Sequence, residues 1–247
     1  MNERPFINEP ISSPQAEYDS LRYVSAETPC PYLDARMFRA ESYSTDHLDG
    51  ALYERLLARG FRRSGRVLYR PRCRGCQECR QLRVLVERFT PTRSMRRVIR
   101  RNADVRVESG DPNPTQEKLA LFQRYLDTQH DSAMSRDYEA FVDFLYDSPM
   151  ESREFCYHLG ERLIGVSIAD RCRHGYSSVY MYFDPDLADR SLGTFSAIWE
   201  IENCRREGLA YYYLGYYVAG SQTMSYKARF RPNQVLAGDD HWVSLQT

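Results

Sequence analysis

The sequence predicts a mixed α/β (α+β) fold in two parts, a smaller N-terminal α+β domain over residues 1–110 and a larger domain over 111–247. Three observations carry that expectation. Helical and strand periodicities follow one another along the chain. Gly110-Asp111-Pro112-Asn113-Pro114 places one glycine and two prolines within five residues, a combination that breaks any regular element. Basic charge is concentrated before that break: seventeen arginines between Arg55 and Arg106 face only Glu78, Glu87 and Asp104, although the whole chain carries 34 basic and 34 acidic side chains.

A length of 247 residues suffices for a self-sufficient core, and 42% apolar with 13% aromatic content is too rich for disorder. No apolar run approaches the roughly 20 residues of a membrane span, and Met1-Asn2-Glu3-Arg4 opens no signal peptide. Membrane, secreted and fibrous classes are thereby excluded, and a soluble cytoplasmic protein is expected. Its seven cysteines read as thiols or a metal site rather than a disulfide framework.

Element by element, the start through Tyr18, with Pro5, Pro10 and Pro14, reads as an extended lead-in. A helix is predicted over 46–59, with Leu48, Leu52 and Leu56 on one stripe and Gly60 as its stop. A hairpin over 61–70 turns at Ser64-Gly65, and 82–89 alternates as a strand. Ser94 caps a short basic helix ending near Asn102, and 104–108 is a further strand. Beyond the break come helices over 115–130 and 138–146, then strands over 154–159, 162–171 and 176–183. A helix over 192–207 stops at Gly208, and 211–217 closes the series as a strand. This order, strands–helix–strand behind a helical lead-in, resembles the acyltransferase fold of the N-acetyltransferase superfamily, expected here for 111–247.

Four motifs carry chemistry. Cys73-Arg74-Gly75-Cys76-Gln77-Glu78-Cys79 overlaps two C-x-x-C units, and with Cys30 as a fourth ligand it suits zinc or an iron–sulfur cluster. Reduced thiols packed as small hydrophobes are the alternative. Arg93, Arg96, Arg97, Arg100 and Arg101 crowd one short helix, where guanidiniums repel unless an anion neutralises them. No groove-reading motif accompanies them, so RNA backbone is the expected partner. Asp184-Pro185-Asp186 and Arg190-Ser191-Leu192-Gly193-Thr194-Phe195 form a helix-opening turn of the kind that holds diphosphate, except that Phe195 is expected to crowd a coenzyme A. Tyr211-Tyr212-Tyr213-Leu214-Gly215-Tyr216-Tyr217 and Met224-Ser225-Tyr226-Lys227-Ala228-Arg229-Phe230-Arg231-Pro232 set phenols on both faces of a strand beside cations. The pattern suggests a polar cleft for a small charged group. His130 lies beside Asp131-Ser132 but suggests no covalent catalysis.

Together Cys30-Pro31-Tyr32, Gly60-Phe61-Arg62-Arg63-Ser64-Gly65, Leu68-Tyr69-Arg70-Pro71, the three-cysteine run, Arg93-Ser94 with Arg97 and Arg101-Asn102, Phe183-Asp184-Pro185, Leu192-Gly193-Thr194, Leu214-Gly215-Tyr216-Tyr217 and the 224–232 block resemble the arginyltransferase family of aminoacyl-tRNA–protein transferases. Length and motif wording are similar to its short bacterial branch, the aspartate/glutamate leucyltransferases. The resemblance implies transfer of leucine from leucyl-tRNA to the α-amine of proteins beginning with Asp or Glu, marking them for degradation. It also implies iron–sulfur or zinc binding through Cys30, Cys73, Cys76 and Cys79.

The reaction itself asks for no cofactor, because the ester is already activated and an α-amine with a pKa near 7.7–8.0 is partly neutral. Placing amine and ester in contact supplies ~7–11 kcal/mol. Strand N–H groups over 180–183 are expected to hold the oxyanion, and Tyr216, Tyr217 or Tyr226 to protonate the leaving ribose oxygen. Arg63, Lys227, Arg229 and Arg231 are the expected readers of the acidic side chain, and the basic helix of the tRNA acceptor stem. Arginyl-tRNA is the alternative donor. A coenzyme A-dependent N-acyltransferase and a non-catalytic RNA-binding protein are the alternative classes.

Overall fold

A computed structural model describes residues 23–129 and 134–245. The lead-in expected through Tyr18 and the His130 region lie outside the described residues. The chain folds first as β1 (Tyr23–Val24), β2 (Thr28–Pro29), β3 (Met37–Phe38), β4 (Ala40–Ser44), α1 (Gly50–Leu57), β5 (Arg62–Ser64) and β6 (Val67–Pro71). It continues with β7 (Arg80–Leu85), α2 (Arg93–Arg101), β8 (Val105–Gly110), α3 (Gln116–Gln129) and α4 (Tyr138–Leu145). Strands β9 (Ser152–Leu159), β10 (Arg162–Arg171) and β11 (Gly175–Phe183) follow, then α5 (Leu192–Arg206), β12 (Tyr211–Tyr217), β13 (Asn233–Gly238) and β14 (His241–Ser244). Short 3-10 turns span Pro185–Arg190 and Ser225–Arg229.

Local chemistry sets the boundaries. Helix α1 starts at Gly50, later than expected, because Asp49 caps it by accepting from the Leu52 N–H at 2.7 Å. Thr92, and not Ser94, caps α2 through the Met95 N–H at 3.3 Å. The strand expected to reach Phe89 ends at Leu85, where Arg88 and Phe89 turn back onto the carbonyls of Leu85 and Val86. The β13–β14 hairpin, beyond the last motif, was not foreseen.

Four antiparallel strands form a small sheet in the order β1-β4-β6-β5. The large sheet has eight, in the order β14-β13-β7-β12-β11-β10-β9-β8. Strands β7 and β8 both precede Gly110, yet β7 lies between β13 and β12, and β8 pairs along β9. Hydrogen bonding in the large sheet is therefore continuous across the 110–114 break.

One pairing decides the rest. Strands β11 and β12 are parallel, joined by the α5 crossover, and stay in register only at Gly175↔Tyr211, Tyr176↔Tyr212 and Ser177↔Tyr213. Beyond Ser177, β11 keeps its bonds to β10 and β12 keeps its bonds to β7, so the two diverge and open a wedge in the middle of the sheet.

Both faces are covered. On one, α5 and α2 bury Leu82, Val84, Phe155, Ile198 and Ile201. On the other, α3 and α4 cover Val166, Ile168 and Tyr182, while α1 and the small sheet cover Tyr213. Strand alternation follows from this packing: the Tyr212 hydroxyl donates to Glu200 of α5 at 2.7 Å, and that of Tyr213 to Glu54 of α1 at 2.9 Å. Burial lifts the Glu200 carboxyl above its ordinary range, and the hydroxyls of Tyr212, Ser167 and Tyr157 donate to it. Among the described residues no helix is long and apolar enough to cross a membrane.

A buried ion pair ties the small sheet to the large one. Arg63 of β5 donates to both oxygens of Asp170 on β10 at 2.8 Å, with neither side chain exposed, and Ser152 adds a third donor at 2.7 Å. Removing one partner strands the other charge, so Arg63→Met is expected to cost ~3–5 kcal/mol in urea unfolding. Unchanged stability would show that the pair does not hold the small sheet.

Candidate functional site

The wedge between β11 and β12 is filled by two cations from outside the two strands. Arg62 of β5 reaches across to donate to the carbonyl of Ser178, at the first position where β11 has left β12. Its guanidinium lies over the Tyr216 ring at 5.9 Å, and its Nη1 is buried without a hydrogen-bond partner. Lys227, on the 225–229 turn, donates to the Tyr216 carbonyl at 2.8 Å and to the Met224 sulfur at 3.6 Å. Each residue is 8% exposed.

Among the described residues neither charge has a carboxylate partner. The groups acting most strongly on Arg62 are the phenols of Tyr53, Tyr69, Tyr216 and Tyr32, and those acting on Lys227 are Arg62 and the Cys79 thiol. Burial first, and then Arg62, push the Lys227 ammonium down to about 7. Gly215 makes the arrangement possible. Its φ is +83°, and a Cβ there would stand 2.4 Å from the Arg62 Nη1.

The remaining expected site residues divide by burial. Arg63 was expected to read substrate, but its guanidinium is spent on Asp170 in the core. Tyr216 is buried, and its hydroxyl donates to the Gly60 carbonyl at 2.7 Å, a tie between the sheets. Tyr217 is buried with the Arg80 guanidinium over its ring at 5.8 Å. Tyr226 is 37% exposed, edge-on to Phe230 at 6.4 Å. It also acts on Tyr125, whose phenol burial pushes up to about 12 and whose ring packs on Phe183 of the diverging strand at 5.1 Å. Arg229 and Arg231 are exposed on the same turn, and the Arg231 Nε donates to the Ala228 carbonyl at 3.3 Å.

Arg62 is not among the residues that the sequence singles out, whereas its neighbour Arg63 is. Over 180–183, β11 has register partners on β10 and none on β12, which leaves that edge open toward the wedge.

Two further motifs serve structure. Asp184 is buried, bound by Arg124 and Arg162, and caps the 185–190 turn. The Phe195 ring, expected to crowd a diphosphate, is turned inward at 7% exposure, 6.1 Å from Tyr157. It therefore says nothing about coenzyme A. On α2, Met95 is buried while Arg93, Arg96, Arg97, Arg100 and Arg101 are all exposed. The nearby carboxylate of Asp104 is taken by Arg190 at 2.7 Å. Among the described residues none of these five arginines has an ion-pair partner, which leaves a band of guanidiniums suited to a polyanion.

Residues 28–97 match the family described as Arginine-tRNA-protein transferase, N terminus, and residues 117–237 match its C terminus. A relative from Hahella chejuensis named aspartate/glutamate leucyltransferase is 36% identical over 228 residues, which is 90% of this chain and 96% of its own. One of the same name from Stenotrophomonas maltophilia is 41% identical, covering 89% and 92%. The chain belongs to the arginine-tRNA-protein transferase family. It is thus an aminoacyl-tRNA transferase, an acyltransferase enzyme. Among solved structures, FemX superposes with a TM-score of 0.43 at 8% identity over 81% of each chain.

In this transferase Cys30, Cys73, Cys76 and Cys79 are all half-buried and free. Burial, then Cys30, Cys73 and Cys76, push the Cys79 thiol up to about 12. Soft thiol donors suit zinc or an iron–sulfur cluster. Among the described residues, however, no three His, Cys, Asp or Glu side chains converge as a metal requires. No step below is routed through a bound ion.

The Lys227 shift has a measurable consequence. Between about pH 7 and its ordinary 10.5, the unfolded chain binds a proton here that the folded chain does not, so this lysine makes stability rise with pH by about 1.4 kcal/mol per unit. Lys227→Met is expected to remove that slope in urea unfolding measured across the interval. An identical pH profile in both proteins would place the ammonium in water.

Proposed function

We propose that this transferase moves leucine from leucyl-tRNA to the N-terminal α-amine of proteins beginning with Asp or Glu, in the cytoplasm, and so marks them for degradation. The observation that carries the reading is the likeness of nearly the whole chain to relatives bearing the aspartate/glutamate leucyltransferase name. The wedge and the arginine band give that name a physical basis, one place for a small anionic end of a polypeptide and another for RNA.

The bond that forms is between the acceptor nitrogen and the leucyl carbonyl carbon; the bond that breaks is the ester to the terminal ribose. The α2 arginines hold the acceptor stem by its phosphates, which brings the charged 3′ end to the wedge. The amine attacks in its neutral form, and orientation supplies most of the rate, ~7–11 kcal/mol of the barrier. The open edge of β11 over 180–183 offers N–H groups to the developing oxyanion. The proton lost by nitrogen must reach the departing ribose oxygen. Of the three tyrosines, Tyr226 has its side chain exposed beside the diverging strand, so it is the proposed relay. The N-acetyltransferase-like layout is proposed from the parallel strand pair that parts after three residues. The chemistry draws on no cofactor.

Incubation with an Asp-peptide and separately charged leucyl- and arginyl-tRNA, read by peptide mass, is expected to show addition of leucine only. Arginine addition would make the alternative donor correct, and no addition would remove the activity. Replacing Arg93, Arg97 and Arg100 by Ala is expected to weaken tRNA binding and to flatten the log–log salt dependence by about 2. An unaltered salt slope would move the RNA contact elsewhere.

A further inference from the structure

We infer that Arg62 and Lys227 together form the pocket for the acceptor's side-chain carboxylate, so that the first residue of the protein substrate is selected inside the wedge rather than by the exposed arginines of the 229–231 turn. The inference rests on the transfer activity proposed above and assigns its specificity to two residues.

A buried guanidinium and a buried ammonium lose hydration and repel each other unless an anion joins them. Among the described residues no carboxylate joins them: Arg62 keeps one buried nitrogen unbonded, and the Lys227 ammonium donates to a carbonyl and a thioether. The backbone is shaped to keep it so, since Gly215 yields the space a Cβ would take from the Arg62 Nη1. Cys79, whose thiol acts on Lys227 and Tyr216, lines a cleft of ≈ 260 Å³ together with Gly60, Arg80 and Gln81.

The occupant is a carboxylate rather than a phosphate. A phosphodiester carries a sugar on each side and would have to bring both past the Tyr216 ring, over which the Arg62 guanidinium lies at 5.9 Å. A carboxylate is terminal, planar and matched to the guanidinium fork, and Asp or Glu delivers it on one or two methylenes. Asn and Gln have nearly the same shape but offer N–H donors to two cations, which is the arrangement such a site rejects.

The test uses four peptides differing only in the first residue (Asp, Asn, Glu or Gln), as acceptors and as equilibrium ligands. The proteins compared are the wild type, Arg62→Lys, Arg62→Met and Lys227→Met. Wild type is expected to favour Asp over Asn by ~100-fold or more in kcat/KM. Arg62→Met and Lys227→Met are expected to lower use of the Asp-peptide by ~30-fold or more while changing the Asn-peptide by less than ~3-fold; Arg62→Lys falls between. Lys227→Met guards against misfolding, because it removes a buried charge and keeps an unbranched side chain.

Equal losses on Asp- and Asn-peptides would make Arg62 and Lys227 architectural and overturn the inference. So would an intact Asp preference with weakened leucyl-tRNA binding, which would make RNA the occupant. If the wild type transfers no leucine at all, the proposed activity fails. The equilibrium titration of Asp- against Asn-peptide then still decides the pocket.

Discussion

A guanidinium buried without an anion is the constraint around which this structure is arranged. Arg62 cannot lose its proton, and at 8% exposure it has little water to replace the missing partner. The fold has to hold it there against a cost of several kcal/mol. The next residue supplies the hold. Arg63 is locked to Asp170 in the core, so β5 cannot withdraw, and Arg62 is carried into the wedge with it. Tyr216 adds a second tie by donating to Gly60 just ahead of β5. The same two sequence-adjacent arginines thus divide the work: one spends its charge on the fold, the other keeps its charge available.

The wedge has its own cause. A parallel pair in an otherwise antiparallel sheet needs a crossover, here α5, and the crossover fixes only where the strands begin together. From Ser178 onward β11 is bonded to β10 alone, while β12 goes on with β7 as far as Tyr217↔Arg80. Strand β7 comes from far earlier in the chain, and by pairing with β12 it draws that strand away from β11. The opening is therefore a product of which neighbours the two strands keep, and Gly215, where the register with β7 shifts, is the place where β12 bends to allow it.

Strongly periodic local signals were legible in the sequence. The 162–171 and 211–217 strands have the bounds that alternation predicted, and the basic helix lies where its arginines are. The family was legible from ordered motifs. The choice between Arg62 and Arg63 was not, because adjacent arginines look alike until Asp170, 107 residues from Arg63, is brought to one of them. Nor was the fate of Tyr216 and Tyr217, whose burial depends on β7 and the small sheet packing over them. The break at 110–114 is a break in local structure, but strand pairing is long-range and β8 and β9 pair across it. Phe195 was judged by its place in a motif, whereas its direction follows from helix geometry and the Tyr157 ring beneath it.

Burial is what lets one arginine-rich chain treat two anions differently. On α2 the guanidiniums are exposed, so their pull on a phosphate is screened by salt, spread over several contacts and blind to sequence. In the wedge the same chemical group stands in a low-dielectric setting, where a single carboxylate changes the energy far more and a neutral amide of equal shape does not. The proposed reaction takes any tRNA of one kind, yet only proteins with an acidic first residue, and calls for weak and numerous contacts for the first and few, desolvated ones for the second. On that proposal one residue type meets both needs, exposed on a helix for the RNA and buried where two strands part for the carboxylate.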